Sequence, residues 1–231
     1  MMPLQRFDAI LIDMNGTFMF GQDRFGPQED YHLTYRKKGG GTLSSGDVQR
    51  AVEAVVAAMA TLYRDPSHCD PFPSVASVLD ALPIARELPS RERELIEVVI
   101  AEHELGHVPI SHAEALRRLS ALRPLMLLSN IWSVAAPWRD ALAHDDLLDL
   151  FDATVFSSEH GCVKPATRLY DIARRVADVP FERIISIGDD PVRDIAVPSH
   201  LGMLTAQVGT VGLAEADMSA ADLPELVGKW L

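Results

Sequence analysis

The chain has 231 residues, of which 48% are hydrophobic and 23% charged, a composition typical of a soluble globular protein with one substantial core. Its formal net charge of −12 argues against nucleic acid or an acidic membrane as a partner, because basic surfaces hold phosphate groups. Cys69 and Cys162 are too few for a disulfide framework or a four-cysteine zinc site. No apolar run approaches the ~18 residues of a membrane span, and the N-terminus does not resemble a signal peptide, so we expect a cytoplasmic protein.

Apolar periodicity predicts a buried strand near the N-terminus and a helical segment after it. The strand runs from Phe7 to Asp13, is rich in Ile and Leu, and ends in the turn sequence Asn15-Gly16-Thr17. Helical patterns dominate residues 20–109, where one helix spans Ser90 to Gly106 and another has a single apolar face. That face comprises Val48, Val52, Val55, Val56, Met59 and Leu62. We therefore predict a helical cap inserted after the first strand. The cap would comprise residues 20–109, and the core residues 1–19 and 110–231.

The second half of the chain alternates between strand and helix patterns. Further strands are predicted at residues 125–130, 153–156, 184–188 and 203–208. Pro165 stands at a suitable first position of a helix, and Ser111-x-x-Glu114 has the sequence of a capping box. This alternation predicts an α/β fold with a doubly wound, Rossmann-like parallel sheet covered by helices on both faces.

Polar side chains gather where the predicted strands end. In a doubly wound parallel sheet, ligands bind beyond the carboxyl ends of the strands, so these residues are the candidates for chemistry. Each of them alone is common in a turn, but together they converge on one edge of the sheet. They are Asp13, Asn15 and Thr17 after the first strand, Ser129 and Asn130 after the second, Lys164 opening the next helix, and Asp189, Asp190 and Asp194 after the fourth strand.

Four of these segments carry a family resemblance. They read IDMNGTF from Ile12, LLSN from Leu127, Lys164-Pro165, and IGDDPVRDI from Ile187. In this order and at this spacing they resemble the four motifs of the haloacid dehalogenase superfamily, whose first motif is D-x-D-G-T. The resemblance extends from Phe7 to about Val208. It implies a Rossmann-like core in which the insertion after the first motif is a mobile cap over the active site.

The resemblance also implies a nucleophile and a metal ion. Asp13 would attack the phosphoryl group of a small phosphorylated substrate and form an aspartyl-phosphate. Mg²⁺ would be held by Asp13, the main-chain carbonyl of Asn15 and Asp189, with Asp190 or Asp194 assisting. Carboxylate and carbonyl oxygens are the ligands that Mg²⁺ prefers.

The remaining matching residues would bind the phosphoryl oxygens. By resemblance, Lys164 balances the clustered carboxylates and contacts these oxygens. Thr17 and either Ser129 or Asn130 would donate hydrogen bonds to them. Water would then hydrolyse the aspartyl-phosphate.

Asn15 departs from the phosphatase pattern. Family phosphatases have an aspartate there, which protonates the leaving group and later deprotonates the attacking water, and a carboxamide can do neither. General acid-base catalysis is typically worth ~10² to 10⁴-fold. Three explanations remain open: a substrate with a good leaving group, an acid supplied by the cap or the substrate, or a protein that binds phosphorylated ligands without efficient hydrolysis. Dehalogenases of the family also lack this acid, but the acidic loop from Gly188 favours a metal site, which dehalogenation does not need.

A second motif, His103-Glu104-Leu105-Gly106-His107, matches the H-E-x-x-H signature of zinc peptidases. A zinc site needs a third protein ligand, and the longer metzincin pattern fails because Ile110 and Ala113 replace its Gly and His. Ordinary histidines of a cap helix are therefore the favoured interpretation.

The basic segment from Arg36 to Gly41 reads RKKGGG and also has two interpretations. It could be a solvated turn, which is the simpler interpretation. It could instead bring positive charge to an anionic substrate when the cap closes.

Overall fold

Short, buried apolar strands form the centre of the protein. A computed structural model describes residues 4–209 and 215–230. Within these residues, six parallel strands form one sheet in the order β3-β2-β1-β4-β5-β6. The strands are β1 (Ala9–Ile12), β2 (Leu125–Ser129), β3 (Ala153–Phe156), β4 (Ile184–Gly188), β5 (Leu204–Gln207) and β6 (Met218–Ser219). The strand order reverses its direction around β1, which confirms the doubly wound Rossmann-like sheet.

Helices cover both faces of this sheet. Side chains of β1 alternate between the two faces, with Ile10 and Ile12 in one apolar cluster and Ala9 and Leu11 in the other. The first cluster is completed by α5 (Ile110–Ser120), α6 (Ala136–His144) and α9 (Leu223–Gly228), and the second by α7 (Thr167–Ala177) and α8 (Val197–His200). No helix in the described ranges is long and apolar enough to cross a lipid bilayer.

Four of the five α-helices that the structure describes between β1 and β2 build a hydrophobic core of their own, as the predicted apolar face suggested. Val52, Val55 and Met59 of α2 pack with Ile96 and Ile100 of α4. We call these four helices the helical insertion. They are α1 (Tyr31–Lys37), α2 (Ser45–Arg64), α3 (Val75–Ala81) and α4 (Ser90–Glu104).

The chain enters and leaves the helical insertion at one place. Phe20 and His107 exchange two backbone hydrogen bonds of 2.9 Å, forming an antiparallel bridge. The two connecting segments therefore run side by side next to the sheet.

Two helix starts differ from their predictions. The α5 helix begins at Ile110 after Pro109, and no side-chain hydrogen bond caps it, so Ser111 and Glu114 do not form the predicted capping box. The fixed φ of Pro109 suits the residue before a helix, so α5 starts two residues earlier than a cap at Ser111 would place it. The α7 helix begins at Thr167, so Pro165 precedes it and Lys164 lies in the loop before the helix rather than opening it.

The basic segment RKKGGG is folded around the side chain of Tyr35. The hydroxyl of Tyr35 accepts hydrogen bonds from the backbone N–H groups of Gly41, Thr42 and Leu43 at 2.9 to 3.1 Å and donates one to Glu92 Oε2 at 2.6 Å. Lys38 pairs with Glu102 at 2.5 Å. The segment is therefore an ordered turn held by a buried hydroxyl.

We expect Tyr35→Phe to destabilise the protein by at least about 2 kcal/mol, since it leaves three backbone amides and the buried Glu92 carboxylate without this partner. Urea unfolding followed by far-UV circular dichroism measures this free energy. The matched control is Tyr31→Phe in the same helix, because among the described residues the Tyr31 hydroxyl bonds only Gly26. Equal losses in the two variants would show that the Tyr35 hydroxyl does not organise the turn.

Candidate active site

A cavity of about 200 Å³ lies where the carboxyl ends of β1, β2 and β4 meet the helical insertion. The sheet register creates it, because Ile12 pairs with both Leu127 and Ile187, so the segments that follow the three strands start at one level. Seven of the nine residues predicted from the sequence line the cavity. They are Asp13, Asn15, Asn130, Lys164, Asp189, Asp190 and Asp194.

A buried lysine holds two carboxylates at the floor of this cavity. Lys164 Nζ donates to Asp13 Oδ1 at 2.6 Å and to Asp194 Oδ1 at 2.8 Å, and all three side chains are less than a tenth exposed. Burial alone lowers the pKa of Lys164, but the carboxylates of Asp13 and Asp194 outweigh it and raise that pKa above its ordinary value. The ammonium group therefore stays charged and fixes the orientation of Asp13.

Asp189 completes a group of three carboxylates. Asp13, Asp189 and Asp194 each offer an oxygen within 4.8 Å of the others. Burial raises the pKa of Asp189 to about 6 and that of Asp194 to about 6. Three carboxylates facing one lysine leave an excess of negative charge, which a divalent cation would neutralise.

The residues around this group fit a hard cation such as Mg²⁺. All three side chains offer oxygen, the donor that Mg²⁺ prefers. Asn15 Oδ1 is buried without a hydrogen-bond partner among the described residues. Gly16 has a φ of +82°, and a Cβ there would lie 2.5 Å from Asp189 Oδ2, so only glycine lets the first loop approach the carboxylate this closely.

The two remaining acids of the fourth motif point in different directions. Asp190 Oδ1 accepts hydrogen bonds from the backbone N–H groups of Val192 and Arg193, and so caps the π-helical turn Pro191–Ala196. Asp194 Oδ2 accepts a hydrogen bond from the N–H of Asp190 at 3.0 Å, while its Oδ1 faces Lys164. The geometry therefore groups Asp194, and not Asp190, with the other two carboxylates.

The three side chains predicted to donate hydrogen bonds to phosphate lie at different places relative to the cavity. Thr17 lies behind the cavity wall, where its hydroxyl donates to Asp13 Oδ2 at 3.3 Å. Asn130 lines the cavity, but its side chain bonds both the N–H and the carbonyl of Lys164, which positions the lysine loop. Ser129 is buried in β2 outside the cavity lining, and its hydroxyl has no partner within the described chain.

Five further residues of the cavity wall were not predicted from the sequence to belong to this site, although Glu104 stands in the H-E-x-x-H motif and Arg193 lies within the fourth motif. They are Asp23, Tyr63, Glu104, Trp132 and Arg193. The guanidinium of Arg193 lies 4.4 Å from the centre of the Tyr63 ring, and the Tyr63 hydroxyl accepts a hydrogen bond from Asn130. Asp23, Tyr63 and Glu104 come from the helical insertion or its connecting segments. No motif marks Asp23 or Tyr63, and the motif that contains Glu104 pointed to a zinc peptidase instead.

The H-E-x-x-H residues do not meet at one point. The α4 helix ends at Glu104, so His107 lies in the extended segment that pairs with Phe20. His103 is hydrogen-bonded to Thr34 through Nε2 at 2.9 Å. Among described residues, the histidine, cysteine and carboxylate side chains close enough to share a metal are Asp13, Asp189 and Asp194. The geometry thus favours structural histidines over a zinc peptidase site.

Glu104 instead fastens the helical insertion to the loop after β2. Its carboxylate accepts hydrogen bonds from the backbone N–H groups of Trp132 and Ser133 at 2.7 and 3.0 Å and from the Ser133 hydroxyl at 2.6 Å. Burial outweighs these bonds and raises the pKa of Glu104 to about 7.

Replacing Glu104 by glutamine should change how stability depends on pH. The pKa is raised from 4.5, so between pH 4.5 and 7 the folded protein binds a proton that the unfolded chain has lost, and wild-type stability falls as pH rises. Glutamine does not titrate. The unfolding free energy of wild type relative to Glu104→Gln should therefore drop by up to about 3 kcal/mol across this window. Urea titrations at several pH values measure it, with exposed Glu94→Gln as control. If the difference in unfolding free energy between wild type and Glu104→Gln stayed constant with pH, the raised pKa of Glu104 would be contradicted.

Comparison with known proteins agrees with this arrangement. The family model of haloacid dehalogenase-like hydrolases matches residues 7–202. The chain is 26% identical over 205 residues to the 5-amino-6-(5-phospho-D-ribitylamino)uracil phosphatase YigB of Escherichia coli (strain K12), covering 87% of this chain and 83% of the relative.

Solved structures share the fold. One is a 2-haloacid dehalogenase from Pseudomonas syringae pv. Tomato DC3000, with a TM-score of 0.67 at 17% identity over 97% of this chain and 100% of that one. Another is a HAD phosphatase from Thermococcus onnurineus, with a TM-score of 0.63 at 20% identity over 96% and 97% of the two chains. With the family model matching most of its length and the four motifs meeting at one cavity, the chain belongs to the haloacid dehalogenase-like hydrolases and is itself a hydrolase.

Proposed function

We propose that the protein is a Mg²⁺-dependent phosphatase that hydrolyses a small phosphorylated metabolite through an aspartyl-phosphate on Asp13. The observation that carries this proposal is the buried carboxylate of Asp13, held 2.6 Å from Lys164 and grouped with Asp189 and Asp194 in one cavity. A nucleophile, a fixed cation and an oxygen-rich metal site are the parts that phosphoryl transfer requires.

Each residue of the site has its own role in the proposed reaction. Asp13 attacks phosphorus, forming a Cγ–O–P linkage as the bond to the leaving oxygen breaks, and Lys164 offsets the negative charge that gathers during the attack. Mg²⁺, held by Asp13, Asp189 and Asp194 together with the Asn15 carbonyl, would supply further neutralisation of the phosphoryl oxygens. Water then attacks the same phosphorus and releases inorganic phosphate and the Asp13 carboxylate.

The size and lining of the cavity favour a small substrate. A space of about 200 Å³ suits a phosphoryl group with a short attached portion, and the Tyr63 and Trp132 rings offer apolar contacts to that portion. The relative YigB is named as a phosphatase of a phosphorylated ribitylamino-uracil, a substrate in which phosphate sits on a polyol chain. We therefore place phosphorylated polyols and sugars first among the candidate substrates.

A haloacid dehalogenase is the second candidate, since the structural neighbours include dehalogenases and position 15 carries no acid. The two functions differ in product and in metal requirement. Assays with 2-chloropropionate and with sugar phosphates, each with and without Mg²⁺, separate them. Halide release without Mg²⁺ would support the dehalogenase, and phosphate release that needs Mg²⁺ would support the phosphatase.

The Asp13→Asn variant should lose at least about 10³-fold in kcat, because Asp13 is the proposed nucleophile and an asparagine side chain cannot form the covalent intermediate. Phosphate release from p-nitrophenyl phosphate and from a panel of sugar and polyol phosphates measures this loss. The matched control is the exposed Asp149→Asn, which should keep wild-type activity. Residual turnover near the wild-type rate in Asp13→Asn would rule out this nucleophile.

The Asp189→Asn variant should need a higher Mg²⁺ concentration for half-maximal activity, since it removes one anionic oxygen from the group of three. A roughly 10-fold increase is expected, corresponding to about 1.4 kcal/mol of metal binding. Activity titrated with MgCl₂ gives the value. The same titration of Asp190→Asn provides the contrast, because that carboxylate caps a helical turn instead. If Asp190→Asn raised the Mg²⁺ concentration for half-maximal activity more than Asp189→Asn does, Asp190 would replace Asp189 as the proposed metal ligand.

A further inference from the structure

Hydrolysis of a phosphate ester with a poor leaving group requires a proton donor in the cavity. The departing oxygen would otherwise leave as an alkoxide, which is far too basic to be released at neutral pH. The Asn15 carboxamide cannot donate in this way and take the proton back. Another group must hold the proton if the proposed phosphatase acts on sugar or polyol phosphates.

Most titratable groups in the cavity wall are already engaged. Asp13, Lys164 and Asp194 form the buried ion-paired set, and Asp189 completes the metal group. Two more carboxylates of the wall are likewise engaged. Asp190 caps its helical turn, and Glu104 accepts three hydrogen bonds from the loop after β2.

Two other groups are poorly suited to the task. Burial raises the pKa of the Tyr63 phenol from an already high value, so the phenol is too weak an acid for this step. The guanidinium of Arg193 does not deprotonate in proteins. Asp23 is the wall residue that remains.

The backbone presents Asp23 to the cavity from a firmly held turn. Its N–H donates to the Glu104 carbonyl at 3.2 Å, and the next residue, Arg24, donates its N–H to the His103 carbonyl at 2.8 Å. The Arg24 guanidinium is turned toward the carbonyl of Leu105 at 2.7 Å, away from a pairing with Asp23. Asp23 has a φ of +57°, a left-handed conformation that costs energy in residues other than glycine and recurs at functional sites.

The Asp23 side chain is unengaged and partly desolvated. Within residues 4–209 and 215–230 its carboxylate makes no hydrogen bond or ion pair that the structure records, although it lines the same cavity as Asp13. Asp23 is an exposed residue at the rim of the cavity, yet the protein atoms around its carboxylate raise the pKa of Asp23 by desolvation. The charged groups that face it are Glu104 beside it and, across the cavity, Asp13, Lys164, Asp189, Asp190, Arg193 and Asp194.

We propose that Asp23 is the general acid-base residue of this active site. Its carboxylic acid gives a proton to the leaving oxygen as the bond from phosphorus to that oxygen breaks. The resulting carboxylate takes a proton from the water that attacks the aspartyl-phosphate, which returns Asp23 to its acid form and releases phosphate. This assignment rests on the proposed phosphatase function.

The Asp23→Asn variant tests the assignment through two classes of ester. Asparagine tolerates a positive φ, so the turn should be kept and the melting temperature should match wild type. With alkyl phosphates such as sorbitol 6-phosphate, kcat/KM should fall by ~10² to 10³-fold. With p-nitrophenyl phosphate, kcat/KM should change by less than about 5-fold, because the leaving phenolate needs little protonation. A burst of p-nitrophenol should precede a slow steady state, since the attacking water has lost its base.

The pH profile and a second variant complete the test. The alkaline decline of kcat/KM for alkyl phosphates should disappear in Asp23→Asn. Adding Asn15→Asp to Asp23→Asn returns a carboxylate to the cavity. The double variant should hydrolyse alkyl phosphates at least about 10-fold faster than Asp23→Asn alone.

Two results would overturn the proposal and are distinguishable. If wild type hydrolyses both ester classes in an Asp13-dependent manner and Asp23→Asn lowers them equally or not at all, Asp23 is not the acid while the phosphatase function stands. If wild type hydrolyses no phosphate ester with Mg²⁺ present, the proposed function itself fails and the role of Asp23 with it.

Discussion

The buried bridge from Lys164 to Asp13 and Asp194 is the interaction on which the active site depends. It brings together residues separated by 151 and 30 positions in the sequence, and it joins the segments after β1 and β4 through the loop before α7. Removing one partner from such a buried group leaves an uncompensated charge, which typically costs about 3 to 5 kcal/mol. The bridge also fixes Asp13, the proposed nucleophile, in place before any substrate arrives, so the proposed attack would need less reorganisation in the transition state.

The sheet was predictable because buried parallel strands are short apolar runs with sharp ends. Five of the strands were located from this pattern, whereas Met218–Ser219 has only two residues and gives no period to detect. Helix starts were harder to predict. Ser111 has the sequence of a cap, but α5 starts two residues earlier, directly after Pro109, so a capping sequence alone does not fix where a helix begins.

The predicted site residues came from the core, and most of them meet at the cavity because strand ends at one edge of a parallel sheet are neighbours by construction. Sequence spacing could not separate Asp190 from Asp194, since only the π-helical turn decides which carboxylate faces Lys164. Nor could the sequence identify Asp23, and it marked Glu104 only as part of the H-E-x-x-H motif of zinc peptidases. These residues reach the cavity through tertiary contacts of the helical insertion, for which the chain offers no periodic signal.

In the proposed mechanism, the placement of these two residues gives the helical insertion a chemical function. The proposed nucleophile Asp13, Lys164, Asp189 and Asp194 all belong to the core, whereas Asp23 and Glu104 lie on the paired segments where the chain enters and leaves the insertion. The backbone of Asp23 is bonded to Glu104, and the Glu104 side chain is bonded to the loop after β2, so the proposed acid keeps its position only while the insertion contacts that loop. Loss of this contact would leave Asp13 intact but without a proton donor. Proton transfer would thereby be coupled to closure of the cavity, in which a desolvated carboxylic acid is most effective.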